Sequence, residues 1–205
     1  MKKKTIVICS LVFACLATAL WTGLEAHGAQ RELAGKMIRL HVIANSDSQE
    51  DQARKLTVRD AVLEQAEEIL RQAEDVEEAQ TRLEEALPAL EAAAEETLRR
   101  QGCSDSVSAS LSWERYPTRE YATFRLPAGQ YLSLRLTIGQ GAGQNWWCVV
   151  FPPLCNEAAV EDLGEAALEA GLTREEVRLI TEETTGYQVR FKTVEWVEEL
   201  LGWLG

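Results

Sequence analysis

His41, Asn45 and Cys148 are the residue types of a cysteine hydrolase, in which an imidazole takes the thiol proton and an amide orients the ring. That chemistry needs a thiol that ionises easily, whereas Cys148 sits in the apolar run Trp146-Trp147-Cys148-Val149-Val150-Phe151, which would make its ionisation harder. Cys155 lies seven residues further on, across Pro152-Pro153. A turn there would bring the two cysteines within the ~5.5 Å Cα separation of a disulfide. Such a bridge would contribute about 2.5 kcal/mol in the chain-entropy view and would remove the nucleophile. Two buried thiols are the other reading. With no oxyanion loop and no metal-ligand spacing beside these residues, the sequence assigns no catalytic group, no metal and no cofactor.

Two further patterns carry less than they suggest. Gly139-Gln140-Gly141-Ala142-Gly143 is glycine-rich like a nucleotide loop. A dinucleotide loop, however, leads from a strand into a helix with an acidic residue about 20 positions on, and a phosphate loop carries a lysine. Here a strand-like run follows and no such lysine does, so the segment reads as a mobile tip between strands. The pairs Glu67-Glu68, Glu77-Glu78, Glu84-Glu85 and Glu95-Glu96 could be paired carboxylates for acid-base work. They recur at helical period opposite an apolar stripe and read as a solvated face.

Arg39, His41, Asn45, Ser46 and Asp47 belong to the run Ile38-Arg39-Leu40-His41-Val42-Ile43-Ala44-Asn45-Ser46-Asp47-Ser48, an apolar strand ending abruptly in helix-starting residues. In one use, His41 and Asn45 bond locally while Ser46 and Asp47 cap a helix. In the other, their outward atoms form a recognition surface at the end of a strand.

The elements that must position these residues follow from periodicity. Met37 to Ala44 predicts a strand buried on both faces except at Arg39 and His41. Ser46 with Gln49, or Ser48 with Asp51, starts a helix whose apolar face runs through Leu56, Leu63 and Leu70, joined by Val62, Ala66 and Ile69. Asp75 with Glu78 starts another, kinked or divided at Pro88 and stopped at Gly102. From Val107 the period becomes two, giving strands over 107–113, 121–125, 131–138 and 146–151, the last two as an antiparallel hairpin. Trp146 and Trp147 are neighbours in a strand and must face opposite sides, one in the core and one exposed or covered by a helix. Helices return over 160–170, 173–181 and from 194, with an extended piece at 187–191. The expected fold is α+β, one domain with a small, mainly antiparallel sheet packed by amphipathic helices.

Ahead of this body, Lys2, Lys3 and Lys4 precede an uncharged run from Thr5 to Trp21, the layout of an export leader. Ala26 and Gly28 fit a signal-peptidase site, which gives residues 1–28 as signal peptide or N-terminal membrane anchor and 29–205 as the exported domain. The 205-residue chain has a formal net charge of −12, and cutting after Gly28 removes three lysines and one glutamate to leave −14. Such a body repels phosphate backbones and anionic lipids, which excludes nucleic acid and leaves the leader as the membrane contact.

Ile38 to Ser48, with Glu50-Asp51-Gln52 and Lys55-Leu56-Thr57-Val58-Arg59-Asp60, resembles the signature of the stage II sporulation protein R family. So does the block from Gly141 to Cys155, with Tyr116-Pro117 and Leu126-Pro127-Ala128-Gly129 between; the similarity runs from Met37 to Cys155. The resemblance implies a signal of endospore formation and no enzyme. Members are exported into the space between forespore and mother-cell membranes, where they activate a membrane-embedded aspartic peptidase that processes the sigma-E precursor. No small-molecule substrate is implied. On that basis Arg39, His41, Asn45, Ser46, Asp47 and Arg59 are expected near the partner contact, with Trp146 or Trp147 as an aromatic anchor. An exported cysteine hydrolase using Cys148 and His41 is the alternative, and a purely structural exoprotein the third reading.

Overall fold

Leu40, Val42 and Ile43 leave the strand they belong to, β1 (Ile38–Ile43), no side that could face water, and β1 accordingly lies inside a sheet. In the computed structural model, which describes residues 27–121, 123–154 and 171–181 together with positions 10, 13–14, 17–18, 21, 164 and 167–168, β1 has neighbours on both sides. One is β5 (Gly129–Ile138), parallel to it with Leu40 opposite Leu134; the other is β6 (Asn145–Phe151), antiparallel with Leu40 opposite Cys148. Outside β5 lies β2 (Val107–Tyr116), antiparallel, so the order is β2-β5-β1-β6. A separate two-stranded piece pairs β3 (Arg119–Glu120) with β4 (Arg125–Leu126). The fold is α+β with a mixed, mainly antiparallel sheet.

The expected hairpin of 131–138 with 146–151 does not form, because β1 inserts between its arms. A strand apolar on both sides is most fully desolvated at the centre of a sheet, and that position outweighs the short connection a hairpin would offer.

Helix α1 (Gln49–Leu70) and helix α2 (Val76–Arg100) cover one face of the sheet. Ile38, Leu40, Val42, Leu134, Leu136 and Val150 meet Val58, Val62 and Ala66 of α1 and Leu83, Leu90 and Leu98 of α2 there. The stripe on α1 is the expected one through Val62, Ala66 and Leu70, all buried, but not at its start: Leu56 is 41% exposed, and Leu63 and Ile69 lie at the margin. The inward side of the first turns is occupied instead by Asp51 and Lys55, both buried. Helix α2 starts as expected, with the Asp75 carboxylate accepting from the Glu78 amide at 2.8 Å, and it runs through Pro88 undivided. It ends at Gly102, whose φ of 73° lets the Cys103 amide reach back to the Leu98 carbonyl at 3.0 Å.

The other face of the sheet is partly covered. Leu33 and Met37, at and after the helical residues 27–34, join Phe124, Leu126, Val149 and Leu154 in a second cluster with Leu172 and Ile180. Helix α3 (Arg174–Thr181) is held by reciprocal bonds between Thr173 and Glu176, the amide of each bonding to the side chain of the other. The helix expected over 160–170 and the elements expected at 187–191 and from 194 fall largely or wholly outside the described residues, as does most of the leader. Among the described residues no helix is long and apolar enough to cross a membrane.

Pro88 gives the fold a direct test. Its ring removes the amide that would bond the Glu84 carbonyl inside α2 and crowds the preceding turn. Pro88→Ala should restore that bond and raise stability by about 1–3 kcal/mol after the lost chain stiffness is deducted, read as a higher urea midpoint.

Candidate functional site

Beyond Ile43 the chain turns from β1 into α1 through Asn45, Ser46, Asp47 and Ser48, and three side chains converge on the Asp51 carboxylate. Ser46 Oγ donates to Asp51 Oδ2 at 2.6 Å, Asn45 Nδ2 to the same oxygen at 3.1 Å, and Arg54 Nη1 to Oδ1 at 3.2 Å. The Asp51 amide in turn donates to Ser48 Oγ at 3.1 Å, which makes Ser48 the N-cap and gives Ser46 a different task. The Ser46 bond, with those from Asn45 and Arg54, outweighs burial and holds the Asp51 carboxyl below its ordinary range. Burial pushes the Lys55 ammonium down while the nearby Asp47 charge opposes it, and Lys55 donates to Gln52 and to the Gln144 carbonyl.

The same residues fix the loop between β5 and β6. Asn45 Oδ1 accepts from the Gln140 amide at 3.0 Å, and the backbone of Ala44 and Asn45 accepts from Gly143 and Ala142. A Cβ at Gly139 would strike the Asn45 amide, and one at Gly143 the Ser46 carbonyl. The glycines are there for close approach, so the expected mobile tip is instead tied to the end of β1 by at least three hydrogen bonds.

His41 lies on the less covered face of the sheet. Its Nδ1 is 3.0 Å from Glu114 Oε2 and its Nε2 2.9 Å from Asn145 Oδ1, and its ring stacks on Trp147 at 5.5 Å between centroids. A neutral imidazole donates from one nitrogen only, so the second bond requires either a doubly protonated ring or an Asn145 amide turned to present its NH2. Glu114 also accepts from Arg135 at 3.0 Å. Burial raises the Glu114 carboxyl, but the bonds from His41 and Ser133 and the Arg135 charge together hold it below its usual value.

Arg39, two residues before His41 on the same face, is completely buried. Its guanidinium lies 3.9 Å from the Tyr116 ring centre and 4.9 Å from that of Tyr131, and its Nη2 donates to Tyr121 Oη at 2.6 Å. Burial raises the Tyr116 and Tyr131 phenols far above their ordinary value, so both stay neutral beside it.

The expected site residues thus fall into three places. Arg39, His41 and Trp147 share one face of the sheet. Asn45 and Ser46 form the polar turn, with Asp47 exposed beside them. Arg59 lies 4.7 Å over the Trp146 ring on the helix-covered face. The two tryptophans do face opposite sides, yet neither is wholly core nor wholly exposed. Residues the sequence reasoning passed over complete the His41 cluster: Glu114, Tyr116, Asn145 and Arg135. Tyr116 and Asn145 lay inside the motifs that carry the resemblance, and Glu114 carried a signal of its own, a carboxylate interrupting the serines on the outward side of β2.

Cys148 stands opposite Leu40 and packs with it under the helices, whereas His41 is opposite Trp147 and points to the other face. Side chains on opposite faces of one sheet cannot share a proton, so the thiol–imidazole pair of a hydrolase is not assembled. Cys155 lies outside the described residues. Among the described residues no group of three histidines, cysteines or carboxylates is placed to hold a metal.

Comparison with known proteins gives this geometry its context. The sequence profile of Stage II sporulation protein R matches residues 34–161, from just before β1 to beyond β6. The chain is 33% identical over 221 aligned residues to stage II sporulation protein R of Bacillus subtilis (strain 168), covering 97% of this chain and 99% of that protein. This chain belongs to the stage II sporulation protein R family. Its role is therefore in sporulation, and the polar turn and the His41 cluster of this family member both lie inside the matched stretch. No solved structure matches it.

The polar turn predicts its own cost. Asp51→Ala should lower stability by about 2–3 kcal/mol, since three donors lose a charged acceptor. A carboxyl held below its ordinary range in the folded chain stabilises above its unfolded value and loses that contribution as pH falls through the lower folded one. The difference between parent and variant in urea melts should accordingly be full at neutral pH and shrink below about pH 4.

Proposed function

We propose that this family member is a secreted signal between the two compartments of a sporulating cell. It is exported by its leader into the space between forespore and mother-cell membranes, where the leader either is cleaved or remains as a tether. There it docks on a membrane-embedded aspartic peptidase and activates it to process the sigma-E precursor, breaking no covalent bond itself. The observation that carries this reading is the family match over nearly the whole chain.

The geometry supports docking better than catalysis. His41, Glu114, Asn145 and Trp147 form a partly open polar and aromatic patch on a rigid sheet, while the only cysteine near His41 in the β1–β6 ladder packs on the opposite side. Activation then requires only that the patch bind the active form of the peptidase more tightly than the inactive one. The reading includes a Cys148–Cys155 bridge closing the Pro152-Pro153 turn. What supports it is that Cys148 is buried and is not a free thiol, whereas Cys103 is.

Membranes carrying the peptidase and its precursor, mixed with purified chain, test the reading. His41→Ala and Trp147→Ala should each slow precursor cleavage at least tenfold while leaving a cooperative thermal transition, and Cys148→Ser should keep activity wherever it folds. Loss of all activity in a folded Cys148→Ser protein, with His41→Ala fully active, would overturn it.

A further inference from the structure

Arginines in this acidic chain mostly lie against carboxylates: Arg54 on Asp51, Arg82 on Glu78, Arg125 on Glu120 and Arg135 on Glu114. Two do not. Among the described residues, neither Arg39 nor Arg119 has a carboxylate within ion-pair distance, and Arg39 Nε and Nη1 and Arg119 Nε are buried with no hydrogen-bond acceptor. Cations taken out of water without a counter-charge are costly to keep, so two of them close together mark a place where an anion is missing.

Both address the same space. A cavity of about 450 Å³ opens between the β3–β4 piece and β6, lined among others by Arg119, Tyr121, Thr123, Phe124 and Trp147, and by Glu120, whose carboxylate is paired with Arg125. The Arg119 guanidinium lies 3.8 Å over the Trp147 ring, which leaves its edge free to meet a ligand. Arg39 reaches the cavity through Tyr121: its Nη2 donates to the phenol oxygen at 2.6 Å, so the phenol's own O–H is left to donate onward. Thr123 Oγ1 is buried there with no partner. Among the described residues, three donors and two cations thus converge on a space whose one lining carboxylate, Glu120, is taken up by Arg125 and whose Asn145 Oδ1 is held by His41.

The shape selects among anions. A space of this volume is in the range of organic ligand sites and far larger than an inorganic anion needs, and Phe124, Trp147 and Leu154 give it apolar walls. It also runs along β6, an edge strand among the described residues, and an edge strand is where an extended segment can be added.

We propose that this cavity binds a peptide carboxylate, a glutamate side chain or a chain terminus of a partner protein, with the carboxylate on Arg119, Tyr121 and Thr123 and its apolar stem against Phe124 and Trp147. The proposal deepens the docking reading and rests on it only for where the peptide comes from. Binding can be measured with no peptidase present, so failure of the site and failure of the reading are separable.

Full-length chain in a neutral detergent is titrated with three peptides while the tryptophan indole N–H signals are followed by two-dimensional NMR. The probes are acetyl-Ala-Glu-Phe-Ala-amide, its glutamine counterpart, and acetyl-Ala-Gln-Phe-Ala with a free terminal carboxylate. At least one carboxylate peptide should bind saturably and at least tenfold more tightly than the uncharged one, and whichever does names the source of the carboxylate. Arg119→Gln should abolish that preference, Arg119→Lys should restore part of it, and Thr123→Val, a small change that keeps the fold, should weaken it several-fold. Equal binding of charged and uncharged peptides, an unchanged preference in Arg119→Gln or Thr123→Val, or inorganic phosphate competing as strongly as the peptides would overturn the proposal.

Discussion

Asp51 places a buried carboxylate where the central strand stops and the first long helix begins, and the polar end of the molecule is arranged around it. Asn45, Ser46 and Arg54 all donate to it, Asn45 then holds the β5–β6 loop with its other amide atom, and Lys55 reaches the same loop from one turn further along the helix. Removing such an acceptor leaves several donors unpaired at once, which is why a network of this kind behaves as a unit. The strand end, the helix start and the loop before β6 are thereby held in one arrangement. That arrangement sets where Asn145 and Trp147 stand, and through them how His41 is held.

The sheet divides the remaining work between its faces. The face under α1 and α2 is filled by aliphatic side chains and supplies the core, including Cys148. Among the described residues the opposite face is apolar where residues 27–34, Phe124, Leu154 and α3 cover it and around Tyr116, Tyr131 and Trp147, and it also carries Arg39, His41, Glu114, Ser133 and Arg135. At the β2 edge, Glu91 and Glu95 of α2 accept from the amides of Ala109 and Val107, which blunts that end of the strand against unwanted pairing. The opposite edge, at β6, lies beside the arginine-lined cavity. On the proposed docking reading, the division of the sheet provides one face that another surface can read.

Much of this was legible in the residues, and the parts that were not share a cause. The β1 strand, the caps at Ser48 and Asp75, the stop at Gly102 and the period-two strands follow from local spacing, except at 121–125, most of which joins β3 to β4 rather than forming a strand. What spacing could not show was partnership across distance. Nothing near residue 131 or 146 says that β1 will lie between the two strands, and nothing near Pro88 says that packing under the sheet will carry the helix through it. The glycines at 139 and 143 looked like freedom because a glycine that permits motion and one that permits close approach are the same letter. Among the carboxylate pairs, the surface reading was sound for Glu96, which pairs with Arg99 and Arg100, and missed Glu95, which caps a strand. The site residues were found as a run and lie in three places, because alternate residues of a strand face opposite ways and the helix carries Arg59 elsewhere.

The central claim is that the molecule acts by occupying a partner, and stoichiometry tests it most directly. With a fixed amount of peptidase in membranes and excess precursor, the initial rate of precursor cleavage is followed as the chain is added. The account predicts a rate that rises with occupancy and reaches a plateau once the chain matches the peptidase and fills its sites. Full processing at a hundredth of that amount, or cleavage of the precursor by the chain with no peptidase present, would contradict it.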